Sequence, residues 1–289
     1  LYVVFDDGEI QKQVTDGGQV LWSLSTNVRI ETFTTSRNGK FLGVGTLSGR
    51  FLLIDGTSGA IVAESDEICR AMCRSIAFSP AGGPLLLGDI NGYITAVELQ
   101  GLNPIWQKQL HNLPVHYLKF LDEGGNRFFV SSDSTTVALY NLDRDTEVQR
   151  FSESPGEQLY KNYWATNLDQ VAGTNYFIIG GYYNVELLDA VDGSAVATYA
   201  GSDNSFLMAT ANTDATEITA ISRNHVVYRW DLESAELLST AWMKPQLMMT
   251  NAFDVAVSPQ GNDIAVATLE PVFGFPPRIY NRVRVFLQP

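Results

Sequence analysis

The acidic residues whose spacing comes nearest to a metal site lie between residues 141 and 147. Asp143, Asp145 and Glu147 alternate along the chain as oxygen ligands do in a calcium-binding loop. An EF-hand loop also needs a glycine at its sixth position and a glutamate at its twelfth, and the sequence has neither there. Because the segment falls between two predicted strands, we interpret it as a solvated acidic turn and expect no metal site.

The three histidines, His111, His116 and His225, do not form a pattern that favours catalysis. His111 and His116 flank the start of one predicted strand, and His225 lies on a tight turn. No serine or cysteine stands in a G-x-S-x-G nucleophile elbow, and no G-x-G-x-x-G or phosphate-binding loop occurs. The sequence therefore predicts a protein that is not an enzyme and uses no cofactor.

Cys69 and Cys73 are the only cysteines. Two cysteines without a histidine or carboxylate at ligand spacing do not complete a zinc site. We expect two free, buried thiols, with a local disulfide as the alternative. Sparse cysteine favours a reducing compartment, so the expected location is the cytoplasm. Leu1 is not an initiator methionine, and a signal peptide upstream of it would change that expectation.

The net charge limits the classes of partner that the protein is expected to bind. Nineteen lysines and arginines against 32 acidic residues give a formal charge of −13. Nucleic acids and anionic lipids are bound largely through basic residues, so this surface on average repels both. No apolar run approaches the roughly 18 residues that cross a bilayer. We therefore expect protein partners, and neither nucleic acid nor membrane insertion.

A pattern that returns about every 43 residues organises the whole chain. Each copy has a turn containing glycine or asparagine, an apolar strand, and an acidic or amide residue that closes the strand. The intervals between these closing residues are 43, 43, 48 and 42 residues. The closing residues are Asp55, Glu98, Asn141, Asp189 and Asp231. Short alternating strands with such a period are typical of a β-propeller with four strands per blade.

The third copy shows the four strands most clearly, at residues 74–79, 84–89, 93–98 and 105–110. Asn91-Gly92 between its second and third strands is a strong hairpin signal. The first strands of the other copies are predicted at 31–36, 116–121, 167–172, 208–212 and 253–258.

The fold class predicted from these copies is all-β, a single seven-bladed β-propeller over residues 1–289 with four-stranded antiparallel blades. The expected blade boundaries are about 1–30, 31–72, 73–115, 116–164, 165–207, 208–250 and 251–289.

The first and last blades are incomplete in this sequence. Residues 1–8 read as a second strand with no first strand before it, and residues 283–286 as a third strand with no outer strand after it. Because an open sheet edge is a pairing liability, we expect residues upstream of Leu1 to supply the missing strands. The alternative is that both blades have three strands.

The motifs resemble those of WD-repeat proteins. Trp230-Asp231 carries the pair that names the family, Ser79-Pro80 resembles its turn after the first strand, and His111 stands where its Gly-His segment would. Only one copy has Trp-Asp and only one has the histidine, so the family's His–Asp hydrogen-bond network is mostly absent. Residues 53–59, 188–193 and 18–22 are instead similar to quinoprotein-type repeats. Both resemblances imply a propeller, and neither implies a bound cofactor here.

Three insertions rich in aromatic residues, methionine and proline carry the candidate site. They are residues 153–164, 242–249 and 269–280, in links between blades and in one turn between second and third strands. In a propeller such links and turns emerge on one face. Exposed aromatic residues there offer anchors for a partner, or they fold down to plug the central channel. The candidate partner-binding residues are Tyr160, Tyr163, Trp164, Trp242, Met243, Phe273, Phe275 and Tyr280.

The function expected from these observations is a non-enzymatic protein–protein interaction scaffold within a larger protein or complex, with the partner on that loop face. The first alternative is a secreted or periplasmic propeller with a ligand, metal or catalytic site at its central channel. The first strands carry few acidic residues, which argues against it. The second alternative is a self-assembling structural subunit whose unpaired terminal strands bridge neighbouring copies.

Overall fold

The computed structural model describes residues 1–5, 8–14, 18–121, 124–132, 137–142, 146–151, 167–181, 183–191, 194–201, 206–242, 251–257, 263–272 and 278–287. These residues form β-strands, turns and extended segments and contain no helix, so the predicted all-β class is confirmed. No helix that could span a bilayer is found among them. The chain forms two compact units, Leu1–Glu153 and Ser154–Pro289.

Within its described part, the first unit contains four antiparallel sheets, each made of strands that follow one another along the chain. The first sheet consists of β1 (Tyr2–Val4), β2 (Glu9–Gln13) and β3 (Val20–Ser25). The second consists of β4 (Ile30–Thr35), β5 (Phe41–Thr46), β6 (Phe51–Asp55) and β7 (Ile61–Ser65). The third consists of β8 (Cys73–Phe78), β9 (Leu85–Asp89), β10 (Tyr93–Val97) and β11 (Pro104–Gln109). The fourth consists of β12 (Val115–Phe120), β13 (Arg127–Ser132), β14 (Val137–Asn141) and β15 (Thr146–Phe151).

The second unit repeats the same meander in the three sheets of its described residues. One consists of β16 (Asn167–Gln170), β17 (Tyr176–Gly180), β18 (Asn184–Asp189) and β19 (Ala195–Ala200). The next consists of β20 (Phe206–Ala211), β21 (Glu217–Ser222), β22 (Val226–Asp231) and β23 (Leu237–Trp242). The last consists of β24 (Asn251–Val257), β25 (Asp263–Val272) and β26 (Arg278–Leu287).

The predicted strands agree closely with the observed ones. Strands β8 to β11 match the four strands predicted for the third copy to within one residue at each end. The other predicted first strands match β4, β12, β16, β20 and β24 to within two residues. The four-stranded antiparallel repeat is therefore confirmed, and the first and last sheets have three strands each. Closure of the sheets into a propeller stays a prediction.

The hydrophobic core lies between consecutive sheets. Central strands such as β5 and β9 are buried over almost their whole length, because both of their faces are covered. One core cluster joins Ile10 of the first sheet to Leu42 and Ile54 of the second. Other clusters join the second sheet to the third, the third to the fourth, and the two four-stranded sheets of the second unit. In each of these pairs the two sheets complete one core together.

The acidic residues that close the third strands stabilise the turns after them. The Asp55 Oδ1 atom accepts hydrogen bonds from the N–H groups of Thr57 (3.0 Å) and Ser58 (2.8 Å). Asp231 Oδ1 likewise accepts from the N–H of Ser234, at 2.8 Å. The aspartates of the closing column, Asp55, Asp189 and Asp231, are therefore turn caps, the ordinary role of aspartate before a turn.

An aromatic side chain on the outer strand also ties several sheets to the next one. Trp22 Nε1 donates to the Gly56 carbonyl (3.3 Å), and Trp106 Nε1 donates to the Leu142 carbonyl (3.0 Å). In the second unit the Tyr199 hydroxyl donates to the Leu232 carbonyl at 2.6 Å. Each acceptor directly follows a closing residue of the repeat, so the three bonds end at equivalent positions. We call Trp22, Trp106 and Tyr199 the outer-strand anchors.

Removing the hydroxyl of an anchor tests this packing. Tyr199→Phe leaves the Leu232 carbonyl without its donor, so we expect the free energy of unfolding to fall by about 1–2 kcal/mol in urea denaturation. Burial, reinforced by the charge of Asp231, raises the pKa of Tyr199 to about 12, so the variant should also lack one late step in an absorbance titration. Tyr183→Phe, at a side chain 44% exposed, is the control. Equal losses in both variants would contradict the anchor role.

Candidate functional site

The first strands of five sheets share a break in their pairing with the second strand. In β4, β8, β12, β20 and β24 the pairing with the second strand skips one residue near the strand start. Such a β-bulge re-aims a side chain. The extra residues are Glu31, Arg74, His116, Leu207 and Phe253.

In the first unit three of these bulge residues form a polar row. Arg74 Nη1 donates to Glu31 Oε1, and Arg74 Nη2 lies 3.1 Å from His116 Nδ1. Because a guanidinium has no acceptor, Nδ1 must accept this bond, and the neutral imidazole then carries its proton on Nε2. The Arg74 and Glu31 side chains are 31% and 22% exposed. The row connects the first strands of three consecutive sheets.

The polar row links neighbouring first strands. Its one cation, Arg74, is already paired with Glu31, so the row offers little net charge to a ligand. In the second unit Thr210 Oγ1 on β20 donates to Asp169 Oδ2 on β16, a second polar contact between neighbouring first strands. The sequence argument that first strands hold few acids therefore overlooked Glu31 and Asp169. The spacing of residues 31, 74 and 116, about one repeat apart, could have indicated that they lie at the same position in consecutive sheets.

The link between β7 and β8 is closed by a disulfide. Cys69 and Cys73 are bonded, with their Cα atoms 5.7 Å apart, so the expected free thiols are wrong. The link is held between two turns, because Cys69 N–H donates to the Gly49 carbonyl and Ile90 N–H donates to the Met72 carbonyl. Spacing alone could not show that the chain folds back far enough to join the two sulfurs.

The glycines of the turns between second and third strands make these close links possible. Gly49 and Gly92 have φ of +88° and +83°, a region that favours glycine. A Cβ atom on Gly92 would lie 2.0 Å from the His111 carbonyl oxygen, and the His111 N–H donates to the Gly92 carbonyl. Links and turns therefore meet at the same end of these sheets, as the face of the candidate site requires.

Asp89, at the end of β9, is the chain's most unusual described carboxylate. Its residue is almost fully buried, and Oδ1 accepts the N–H groups of Asn91 and Tyr93, both at 2.9 Å. Burial raises the pKa of Asp89, partly offset by the hydrogen bonds from Tyr93 and Asn91. Thr46, Ser132 and Ser222 hold the same position in other copies, so a charged group here replaces neutral hydroxyls.

The surroundings of Asp89 do not assemble a reactive centre. The exposed Arg70 guanidinium stacks on the Tyr93 ring, 4.3 Å from its centroid, and its Nε donates to Gln107 Oε1 at 2.7 Å. Across the part of the chain that the structure describes, no group of three or more histidines, cysteines or carboxylates is placed to hold a metal ion. The local chemistry is that of a buried turn cap.

Only two of the eight predicted partner-binding residues lie among the described residues. Tyr160, Tyr163, Trp164, Met243, Phe273 and Phe275 lie outside the described residues. Tyr280 lies in β26, where its backbone pairs with Glu270, so residues 269–272 and 278–280 form paired strands and not the predicted lengthened turn. Trp242 is the last residue of β23 and is 62% exposed. Whether these residues share one surface stays a prediction.

The outer strands hold apolar surface that the sequence argument missed. In β3, β7, β11, β19 and β23 the pairing again skips one residue, and each extra residue is aliphatic and 47–55% exposed. These residues are Leu21, Val62, Ile105, Val196 and Leu238. Paired aliphatic residues at the strand starts, such as Ile61-Val62 and Leu237-Leu238, were the signal that could have found them.

Strand β23 differs from β3, β7, β11 and β19. All of its residues are exposed, and none is charged. The positions that hold the anchors Trp22, Trp106 and Tyr199 elsewhere are occupied in β23 by Ser239 and Ala241. The strand therefore presents backbone, Leu237, Leu238 and Trp242 to its surroundings.

The buried carboxyl of Asp89 makes a pH-dependent prediction. Its folded-state pKa lies above the ordinary value of 3.8, so its favourable contribution is present below that pH and is lost as the pH rises through the folded-state pKa. Relative to Asp89→Asn, the wild-type protein should therefore lose stability as the pH rises above the ordinary value of 3.8. Urea denaturation of both proteins across this range measures the difference. A difference that is constant or grows with pH would contradict the raised pKa.

Comparison with known proteins adds no family. The chain matches no protein-family model, and no curated protein is significantly similar to it.

Proposed function

We propose that the sheets close into a seven-bladed β-propeller that serves as a non-enzymatic platform for protein partners within a larger assembly. The packing of consecutive sheets supports the architecture, because core clusters join three pairs of neighbouring sheets in the first unit and one pair in the second, and first strands lie beside first strands. Propeller blades are arranged in this way. The resemblance to WD-repeat proteins belongs to the same proposal.

The observation that carries the proposed function is the exposed strand β23 with Trp242 at its end. Tryptophan buries much apolar surface when it binds and is enriched among the residues that dominate interface energetics. Here 62% of its surface is exposed, beside Leu237 and Leu238, which are 46% and 49% exposed. On a chain of net charge −13, this uncharged stretch is a place where a partner meets little repulsion.

An enzymatic role finds less support in the same structure. Arg74 is neutralised by Glu31, and Asp89 is occupied in capping its turn. Both features hold strands and turns in place. We therefore keep a non-enzymatic function as the proposal.

Alanine at Trp242 tests the platform directly. If the indole is a partner anchor, Trp242→Ala should cost about 2 kcal/mol of binding, or roughly 30-fold in Kd. The melting temperature should move by less than about 2 °C, since the side chain is mostly exposed. The measurement is quantitative co-purification from the source cells, followed by titration of the partner recovered. Tyr183→Ala, an exposed aromatic elsewhere in the same unit, is the control.

Two outcomes would contradict the platform at this position. A melting temperature lower by many degrees would show that Trp242 packs into the fold. Equal recovery of the partner by wild type, Trp242→Ala and Tyr183→Ala would show that the indole does not bind it.

The disulfide bears on the compartment. A cytoplasmic location stays a prediction, and the Cys69–Cys73 bond supports an oxidising compartment instead, because cytosolic thiols are kept reduced. Both cysteines should resist alkylation in protein trapped from cells and react only after reduction. Mass spectrometry of the peptide containing them measures this. Labelling without reductant would favour the cytoplasm.

A further inference from the structure

We infer that β23 is an edge to which a protein partner adds an extended strand, and that this partner strand carries a basic residue at the end beside Glu236. The inference rests on the proposed function and specifies how the platform binds. It follows from four features of β23.

The first feature is an open edge. Strand β23 pairs along one side with β22, from Trp242 opposite Val226 to Leu237 opposite Trp230. Among the strands of the described residues, none pairs with its other side. Alternate N–H and C=O groups of such a strand point outward, where an added strand can bond to them.

The second feature is the absence of the usual protection. Outer strands are commonly blunted by charges, proline or bulges. Strand β7 carries Glu64, which pairs with Arg50, and β11 begins at Pro104 and contains Lys108. Strand β23 has only the bulge at Leu238, so the run from Ser239 to Trp242 is regular, uncharged and exposed.

The third feature is the bare face of the strand. Where β3, β11 and β19 carry an anchor that reaches the next sheet, β23 carries Ser239 and Ala241, and both are exposed. Small side chains let another backbone approach. Leu237, Leu238 and Trp242 then offer apolar contacts to alternate side chains of the added strand, as in β-strand addition.

The fourth feature is charge, which identifies the occupant. The turn before β23 contains the exposed residues Glu233 and Glu236, and the whole chain carries −13. A second copy would bring the same negative charge and is disfavoured by repulsion. An uncharged strand followed by lysine or arginine is complementary. If it runs antiparallel to β23, like the strands of the sheet, its basic C-terminal end lies beside Glu236.

A synthetic peptide tests the inference without knowledge of the natural partner. The probe is an extended peptide of alternating valine and threonine that ends in two lysines. Hydrogen exchange on the intact protein should slow at residues 239–242 when the peptide binds. The same peptide with alternate backbone nitrogens methylated should bind at least tenfold more weakly, because it cannot complete the ladder. Equal binding of both peptides would overturn the inference.

Two proline variants make the backbone test independent of side chains. In a strand, successive N–H groups point to opposite edges, so only one of Thr240→Pro and Ala241→Pro removes an outward donor. That variant keeps its melting temperature and should bind the lysine peptide at least tenfold more weakly. The other breaks the pairing with β22 and melts earlier. Full binding by a proline variant that melts normally would overturn the inference.

A pair of glutamate variants tests the role of charge. Glu236→Gln should weaken binding of the lysine peptide several-fold at low salt. Glu98→Gln, at an exposed carboxylate in the first unit, should leave this binding unchanged. Equal effects would show that only the overall charge matters. Light scattering at several concentrations measures self-association. A dimer that disappears in the outward-donor proline variant would assign the edge to a second copy and overturn the inference.

These outcomes separate the inference from the proposed function. Loss of the natural partner in Trp242→Ala, together with full binding in the outward-donor proline variant, would leave the platform standing and remove strand addition. Full partner binding by Trp242→Ala would argue against the platform itself.

Discussion

A sheet of four short strands has two apolar faces and cannot bury either of them alone. This constraint governs the molecule. Strands β5, β6, β9 and β10 are buried almost end to end, which happens only when both faces of a sheet are covered. Each sheet therefore depends on its neighbour for stability, and the core clusters pair consecutive sheets accordingly. At roughly 25 cal/mol for each Å² of apolar surface removed from water, this shared burial outweighs any single polar contact.

The polar groups follow from that stacking. Where two sheets meet, their ends must satisfy backbone groups that no ladder reaches. Asp55 and Asp231 cap the turns after third strands, and Asp89 caps a turn after a second strand. The row of Glu31, Arg74 and His116 connects first strands whose bulges turn these side chains toward one another. These titratable groups thus cap turns or connect neighbouring first strands.

The sequence predicted what depends on local pattern and missed what depends on pairing. Periodicity and turn residues located the strands to within a residue or two, because alternation and Asn-Gly turns act over short range. The bulges at Arg74 and Leu238 are properties of register between two strands, which no single strand reveals. The Cys69–Cys73 bond depends on how closely the link between β7 and β8 packs against the turn at Gly49. Exposure of Trp242 depends on what the neighbouring sheet leaves uncovered.

Strand β23 is where the stacking rule is least satisfied among the described outer strands. The anchors on β3, β11 and β19 hold their sheets to the next, and β23 replaces them with Ser239 and Ala241. A strand that gains nothing from a neighbour usually acquires charges that protect its edge, as β7 has in Glu64. The lack of both an anchor and a protective charge is costly in an isolated protein, since the edge invites aggregation. It is reasonable where a partner normally covers the edge, and this is the physical reason for assigning the binding role to β23.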